Sequence, residues 1–472
     1  MLLSSQNQKP VQLHIMHSWG GGLEQWVRDY SLADKKKINL VLKSLGVPGT
    51  PGQRLALYQN ILDEKPIQVW TLTPYIYNTA IAHLEYCYIL EEIIEQYQIS
   101  AILISSLIGH SLDALNTGIK TVIICHDYYP FCPALNIYFH KICSRCNVSD
   151  LEECSQNNPY NHFLPIGSPN NWQNLRYYFF QLILNNKIPL IIPSQSVKKH
   201  LVTLESNLKL ADFRVIPHGV NPFPENLVIK PKEKSQSRLK ILVLGNLSLQ
   251  KGFYLFKEIA PQLADIADFF LIGCGEEASQ LTTLKGVRTI TNKYQRDQLP
   301  KKVKKIAPDL GLLLSVVPET FNYTLSELMM MGIPTITTNV GSFPERIKDQ
   351  VNGFLVPPQK QEIITKIREI YQQQEIIWQV AKTVQSDSHK SLEEMREDYE
   401  QVLQSQQTEK LHISREINLV ERLSLPFKSS NSHSEEAVAL RQQIEAMESS
   451  KFWKLRKAWF QLKKAIGLPI RE

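Results

Sequence analysis

The chain has 472 residues, room for about three domains of roughly 150 residues each. Hydrophobic residues make up 43% and charged residues 21%, enough apolar material for at least two cores; 20 glycines and 26 prolines exclude a collagenous or low-complexity chain, and seven cysteines exclude a disulfide scaffold. The net charge of +6 equals that of one C-terminal stretch, where Lys451, Lys454, Arg456, Lys457, Lys463 and Lys464 stand with no acid among them, so the body is neutral and the chain is not expected to bind nucleic acid.

In chain order, the opening MLLSSQNQKPVQLHIMHS has no basic region followed by an apolar one, so no secretory signal is read. Val11–His17, Ile38–Leu42, Ile67–Leu72, Ala101–Ser105, Thr121–Cys125 and Ile188–Ile192 read as strands, and Thr79–Gln98 as the clearest helix between them. Near-continuous apolar strands joined by helices predict a parallel sheet covered on both faces. The pattern ends near Pro217-His218-Gly219-Val220, which places a first domain at 1–222. Residues 223–238, rich in proline, charge and serine, read as a linker. Alternation then restarts with Lys240–Leu244, Phe269–Ile272, Leu310–Leu314 and Thr335–Thr338 as strands, Glu362–Gln373 as a helix, and a long helical region Glu375–Gln404, giving a second domain at 239–404. The fold class is therefore α/β, with two doubly wound Rossmann-like domains facing a cleft. A polar tether is expected at 405–434 and a basic amphipathic helix at 435–472, where Phe452, Leu455, Trp459, Leu462 and Ile466 form one apolar stripe. The apolar runs, such as Ala101–Gly109, are about half the roughly 20 residues that a membrane-spanning helix needs. Together with the missing signal, this predicts a reducing cytoplasmic address.

Five patterns carry chemistry. Gly20, Gly21 and Gly22 follow the first strand and either bring backbone amides to a phosphate or make a tight corner. Lys251-Gly252 follows the first strand of the second domain, where a lysine beside helix amides suits a nucleotide diphosphate; the alternative is a solvated lysine. Glu319 and Glu327, eight residues apart, flank a helix start containing Asn322 and Tyr323, which suits phosphate; alternatively, Thr324-x-x-Glu327 is a capping box and Glu319 an ordinary loop acid. His126-Asp127 ends a strand, where His126 either donates to a substrate or serves the structure. Cys132, Cys143, Cys146 and Cys154, spaced C-x10-C-x2-C-x7-C, read as either a structural zinc site or free thiols.

From about Val11 to Gln404 the chain resembles glycosyltransferase family 4, with two Rossmann-like domains in the GT-B arrangement. The resemblance rests on the glycine loop, His126-Asp127, Val215-Ile216-Pro217-His218-Gly219-Val220, Lys251-Gly252, the Glu319…Glu327 spacing, Gly341-Ser342-Phe343-Pro344-Glu345 and Asn352-Gly353-Phe354-Leu355-Val356, in that order. It implies a retaining transferase of the bacterial polysaccharide-building type that needs no metal for chemistry and takes a UDP- or GDP-sugar donor. Glu319 would contact the donor sugar, Glu327 the ribose, and His126 the sugar near the reacting centre. Lys251 would hold the diphosphate, with help from Gly20 to Gly22 and the amides near Asn322 and Tyr323. The chain departs from the family at Gly245-Asn246, where Gly-Arg is usual, at Phe321-Asn322, where Phe-Gly is usual, and at His218, where Asn is usual. Arg214 or Arg238 are the candidates to replace the missing cation. The acceptor would be a glycan or lipid-linked. The basic helix would either hold the enzyme at the inner membrane surface or pair into a homo-oligomer. The alternatives are a sugar-nucleotide epimerase or phosphorylase on the same fold, and an inactive scaffold.

Overall fold

A computed structural model describes residues 9–47, 50–161, 168–223, 238–386 and 389–406. Most of the expected linker, nearly all of the tether and the whole basic helix lie outside the described residues. Met1–Glu409 form one compact unit, which contains two sheets, each with its own helices.

The N-terminal lobe begins with β1 (Val11–His17), whose residues are buried after the first, and α1 (Gly21–Ala33). Next come β2 (Ile38–Val47), β3 (Thr50–Tyr58), β4 (Gln68–Thr71), the short β5 (Thr79–Ala80), α2 (Leu84–Tyr97), β6 (Ile99–Ile104), the short β7 (His110–Ser111) and β8 (Lys120–Ile124). The cysteine-rich stretch forms a small hairpin, β9 (Tyr138–Phe139) and β10 (Lys141–Ile142), and α3 (Val148–Asn157); α4 (Pro169–Asn185), β11 (Leu190–Ile192), α5 (Gln195–Leu204) and β12 (Phe213–Val215) complete the lobe. The sheet order is β12-β11-β8-β6-β1-β2-β3-β4. Leu13 of β1 lies between Leu40 and Ile102, and Ile15 between Leu42 and Ile104, an apolar layer across the sheet centre.

The C-terminal lobe contains β13 (Leu239–Leu244), α6 (Phe253–Ile259), β14 (Ala267–Ile272), β15 (Val287–Thr291), α7 (Leu299–Ile306), β16 (Leu310–Leu313), α8 (Tyr323–Met330), β17 (Thr335–Thr338), α9 (Phe343–Arg346), β18 (Phe354–Val356), α10 (Lys360–Gln372) and α11 (Glu375–Ser386). Its all-parallel sheet runs β15-β14-β13-β16-β17-β18. The last helix, α12 (Leu392–Ser405), returns to the N-terminal lobe. Its buried stripe, Leu392, Met395, Tyr399 and Leu403, joins Trp26, Val27, Val41 and Leu103 in the core on one face of the first sheet.

The parallel α/β plan matches the sequence reading; several details do not. The first sheet is mixed, because β3 pairs antiparallel with both β2 and β4. The helix expected from Thr79 starts only at Leu84, where the His83 side chain accepts the Tyr86 amide at 3.2 Å. The expected long helix is two helices. The second starts at a true capping box, Ser391 with Glu394. Among the described residues no helix is long and apolar enough to cross a membrane.

Open parallel sheets bind ligands beyond the carboxyl ends of their strands, where the strand order reverses. In the first sheet that point lies between β1 and β6, and in the second between β13 and β16.

Candidate functional site

The reversal in the C-terminal lobe is a crevice lined by Gly245, Asn246, Lys251, Ser315, Asn322 and Thr324, among others. Its walls are held close by glycine. Gly252 has φ +85°, and a Cβ there would run into the Leu314 backbone, so only glycine lets the two loops touch. Val316 N donates to Gln250 O at 3.0 Å across the same seam. Lys251 is thereby held over the loop that follows β16, where its Nζ pairs with Glu319 Oε1. Ser315 Oγ donates to the same oxygen. The Glu319 backbone is fixed by Gly341, where a Cβ would strike it, and by Ser342 N, which donates to Glu319 O at 2.8 Å.

Glu327 is not part of a capping box. The cap of α8 is Asn322, whose Oδ1 accepts the Leu325 amide at 2.7 Å. Glu327 is buried, 6% exposed, and its oxygens are engaged from the segment after β15: Tyr294 OH donates to Oε2 at 2.6 Å, and Arg296 Nε lies 3.4 Å from Oε1. Burial pushes this carboxyl up; the Tyr294 hydrogen bond and the Arg296 charge pull it back.

On the facing lobe, Gly20 caps α1 with φ +78°, and Gly21 and Gly22 are exposed. A Cβ on Gly22 would lie 3.6 Å from the Tyr323 ring, so the glycine loop sits against the start of α8. His126 lies after β8 with Nε2 3.3 Å from Ser105 Oγ. Its ring packs edge-on to Trp26 (centroids 5.4 Å) and 5.2 Å from His218, and its carbonyl accepts Thr320 Oγ1 at 2.6 Å. Burial, then the neighbouring His218 and His17, hold its imidazole well below the usual range, so it is neutral. Beside it, burial raises the Asp127 carboxyl to about 6. His218 stacks on Tyr323 (5.7 Å, 15°) and meets Phe321 edge-on. Its pKa is lowered to about 3 by burial. The His218 Nδ1 and Tyr323 hydroxyl are buried without a hydrogen-bond partner among the described residues.

The structure thus brings His126, the glycine loop, Tyr323, Asn322, Lys251 and Glu319 to one seam between the lobes. It does not bring Arg214 or Arg238 there. Arg238 grips Asp268 and the carbonyls of Ala264, Asp265 and Ala267 at the amino end of β13, and Arg214 pairs with Asp212 at 2.7 Å. Cys132, Cys143, Cys146 and Cys154 are gathered near one another as free thiols, with Arg176 Nη2 3.0 Å from Cys146 Sγ. Among the described residues, no group of three or more His, Cys, Asp or Glu side chains is arranged to hold a metal. Residues missed from the sequence include Tyr294, Arg296 and Arg346. Arg346 lies 4.4 Å over the Phe321 ring and donates to Asn322 O at 2.8 Å and Ser326 Oγ at 2.6 Å. Its place next to the Gly341–Glu345 motif was the available signal.

Two doubly wound lobes with facing crevices make the GT-B fold, and solved structures share it. The UDP-glucose complex of HepE from Anabaena aligns at a TM-score of 0.52 and 17% identity, covering 84% of this chain and 100% of that one. Sucrose-phosphate synthase from Thermosynechococcus elongatus aligns at 0.52 and 13% identity, covering 83% and 98%. Residues 238–373 match the family described as Glycosyl transferases group 1. An uncharacterized glycosyltransferase of Methanocaldococcus jannaschii is 28% identical over 191 residues, 37% of this chain and 48% of that protein. The chain spans about half the length of this curated relative.

Proposed function

We propose that this protein is a glycosyltransferase that binds a UDP- or GDP-sugar in the crevice between the loops after β13 and β16. It passes the sugar to a glycan or lipid-linked acceptor held by the N-terminal lobe. The observation that carries this reading is the convergence of Lys251, Glu319 and the start of α8 where the strand order reverses. The family match of the same lobe supports it, as do the UDP and UDP-glucose complexes of HepE. The His218 Nδ1 and Tyr323 hydroxyl, buried beside the glycine loop and without a hydrogen-bond partner among the described residues, fit a polar ligand entering the seam.

In this reading the bond from the sugar C1 to the diphosphate oxygen breaks and its electron pair stays on the phosphate. Lys251 and the amides of Asn322 and Tyr323 meet that charge, with the Gly20–Gly22 loop facing it. The acceptor hydroxyl attacks C1 on the same face, and its proton passes to the leaving phosphate, so configuration is retained. These groups meet the charge without a metal or other cofactor. Glu319 holds the sugar hydroxyls, Glu327 the ribose, and neutral His126 hydrogen-bonds near the reacting carbon. The basic segment 435–472 keeps the enzyme on the anionic inner membrane face, beside acceptors used in polysaccharide synthesis.

A thermal-shift screen against UDP-, GDP-, ADP- and dTDP-sugars tests the donor site, with wild type beside Glu327→Ala. A shift with one nucleotide, lost in the variant, is expected, because binding to the native state raises the melting temperature. No shift from a folded wild type with any of them would overturn the reading in favour of an inactive scaffold. A chain ending at Gln406 is expected to lose binding to anionic liposomes; equal pelleting with the full chain would overturn the membrane assignment.

A further inference from the structure

The Glu327 carboxylate is engaged from outside its own helix. Tyr294 follows β15, and its ring lies flat in a slot opened by Gly273: at φ +71°, a Cβ there would collide with the ring. Backbone bonds fix the same segment, Gly273 N to Thr291 O at 2.7 Å and Gly275 N to Asn292 O at 3.1 Å. Arg296 is held between two anchors. Its guanidinium lies 4.5 Å over the Phe223 ring and Nη2 donates to Asn221 O, while Nε reaches Glu327. Thus the loop after β15 supplies one donor to each oxygen of a buried carboxylate. Glu327 lies one helical turn beyond Thr324, a crevice residue, and so shares a face of α8 with it.

A carboxylate oxygen has two lone-pair positions. With one position on each oxygen filled by Tyr294 and Arg296, the remaining pair is left for a vicinal diol. A diol is what distinguishes a ribose from a deoxyribose. We infer that Tyr294 and Arg296 are positioning residues that hold Glu327 for the two hydroxyls of the donor ribose, making this three-residue set the determinant of preference for ribonucleotide donors. The inference rests on the donor-site reading above.

The test measures binding of UDP and 2′-deoxy-UDP, and of GDP and 2′-deoxy-GDP, by titration calorimetry. The proteins are wild type, Tyr294→Phe, Arg296→Gln and Glu327→Gln, each checked for an unchanged cooperative melt. Wild type is expected to prefer the ribonucleotide of one pair about tenfold or more, since losing a hydroxyl leaves a buried carboxylate unpaired. Tyr294→Phe removes a single oxygen. It is expected to weaken the ribonucleotide about tenfold and to leave the deoxynucleotide within about twofold, collapsing the ratio. Arg296→Gln, the second variant, is expected to lower the ratio likewise. A purely structural role would weaken both nucleotides equally, and that result, or an unchanged ratio in both variants, would overturn the inference. If folded wild type binds none of the four nucleotides, the donor-site reading itself fails, an outcome read from the wild-type measurement alone.

Discussion

The Glu345 carboxylate, in the C-terminal lobe, accepts the backbone amides of Gln195 and Ser196, the first two residues of α5 in the N-terminal lobe; the Gln195 bond is 2.8 Å. The helix has no side-chain cap of its own, because Ser194 Oγ is turned across the seam to donate to Thr320 O at 2.9 Å. One lobe therefore caps a helix of the other, and the cap exists only while the lobes are together.

Glu345→Ala is expected to cost about 1 kcal/mol of stability, the usual value of an N-cap. It should also raise the donor KM more than it lowers kcat, because closure is weakened before chemistry. Denaturant unfolding and steady-state kinetics check this. Unchanged KM together with unchanged stability would show that the contact does not hold the lobes.

Lys251→Ala removes the cation beside Glu319 and the crevice. Transfer is expected to fall about a hundredfold or more, the scale on which one preorganised charge-stabilising donor acts. The fall should appear mainly in kcat. Activity within threefold of wild type would remove Lys251 from the machinery.

Tyr399 packs 5.2 Å from Trp26 and 5.5 Å from Tyr30 and is fully buried. Tyr399→Ala is expected to destabilise the chain by about 3–5 kcal/mol, as for other large aromatic truncations in cores. Because α12 covers the first sheet, the loss should appear in the unfolding of the N-terminal lobe, read from amide hydrogen exchange of β1, β6 and β8. A change below about 1 kcal/mol would mean that α12 does not complete that core.

Stability should depend on pH between about 3 and 6.5. Burial lowers His218 to about 3 and His14, His17 and His110 to about 4. The unfolded chain therefore binds more protons than the folded one across this window, and stability rises with pH up to the unfolded value of about 6.5. Asp127, raised to about 6, acts in the opposite sense from about 4 to 6, because its folded form holds a proton that the unfolded form has released. Burial also lowers His126 and His200 and raises Asp29 and Glu327, so six histidines act against three acids and leave a net rise. His218→Gln is expected to flatten it, and Asp127→Asn to steepen it, in denaturant unfolding at pH 4.5, 5.5 and 6.5. A flat wild-type profile would contradict the burial of these rings.

Read alone, the residues from Val11 onward gave the α/β class and singled out a break near Val220 and a set of candidate site residues: the Gly20–Gly22 loop, His126, Lys251, Asn322, Tyr323 and the two glutamates. Those features are local. A buried parallel strand must be apolar along its length, and a loop brought close to another backbone must spend glycines, so both leave marks in short windows. The tertiary structure alone decided what those residues touch. Thr324 and Glu327 have capping-box spacing, yet Asn322 takes the cap because its side chain reaches the Leu325 amide, while Glu327 is claimed by Tyr294 and Arg296, which lie 33 and 31 positions earlier in the chain. In the same way Arg238 was spent on Asp268, β3 turned the sheet edge antiparallel, and α12 crossed back to cover Trp26. Such partners are chosen by proximity after folding, and proximity between distant positions leaves no periodic trace in a single sequence.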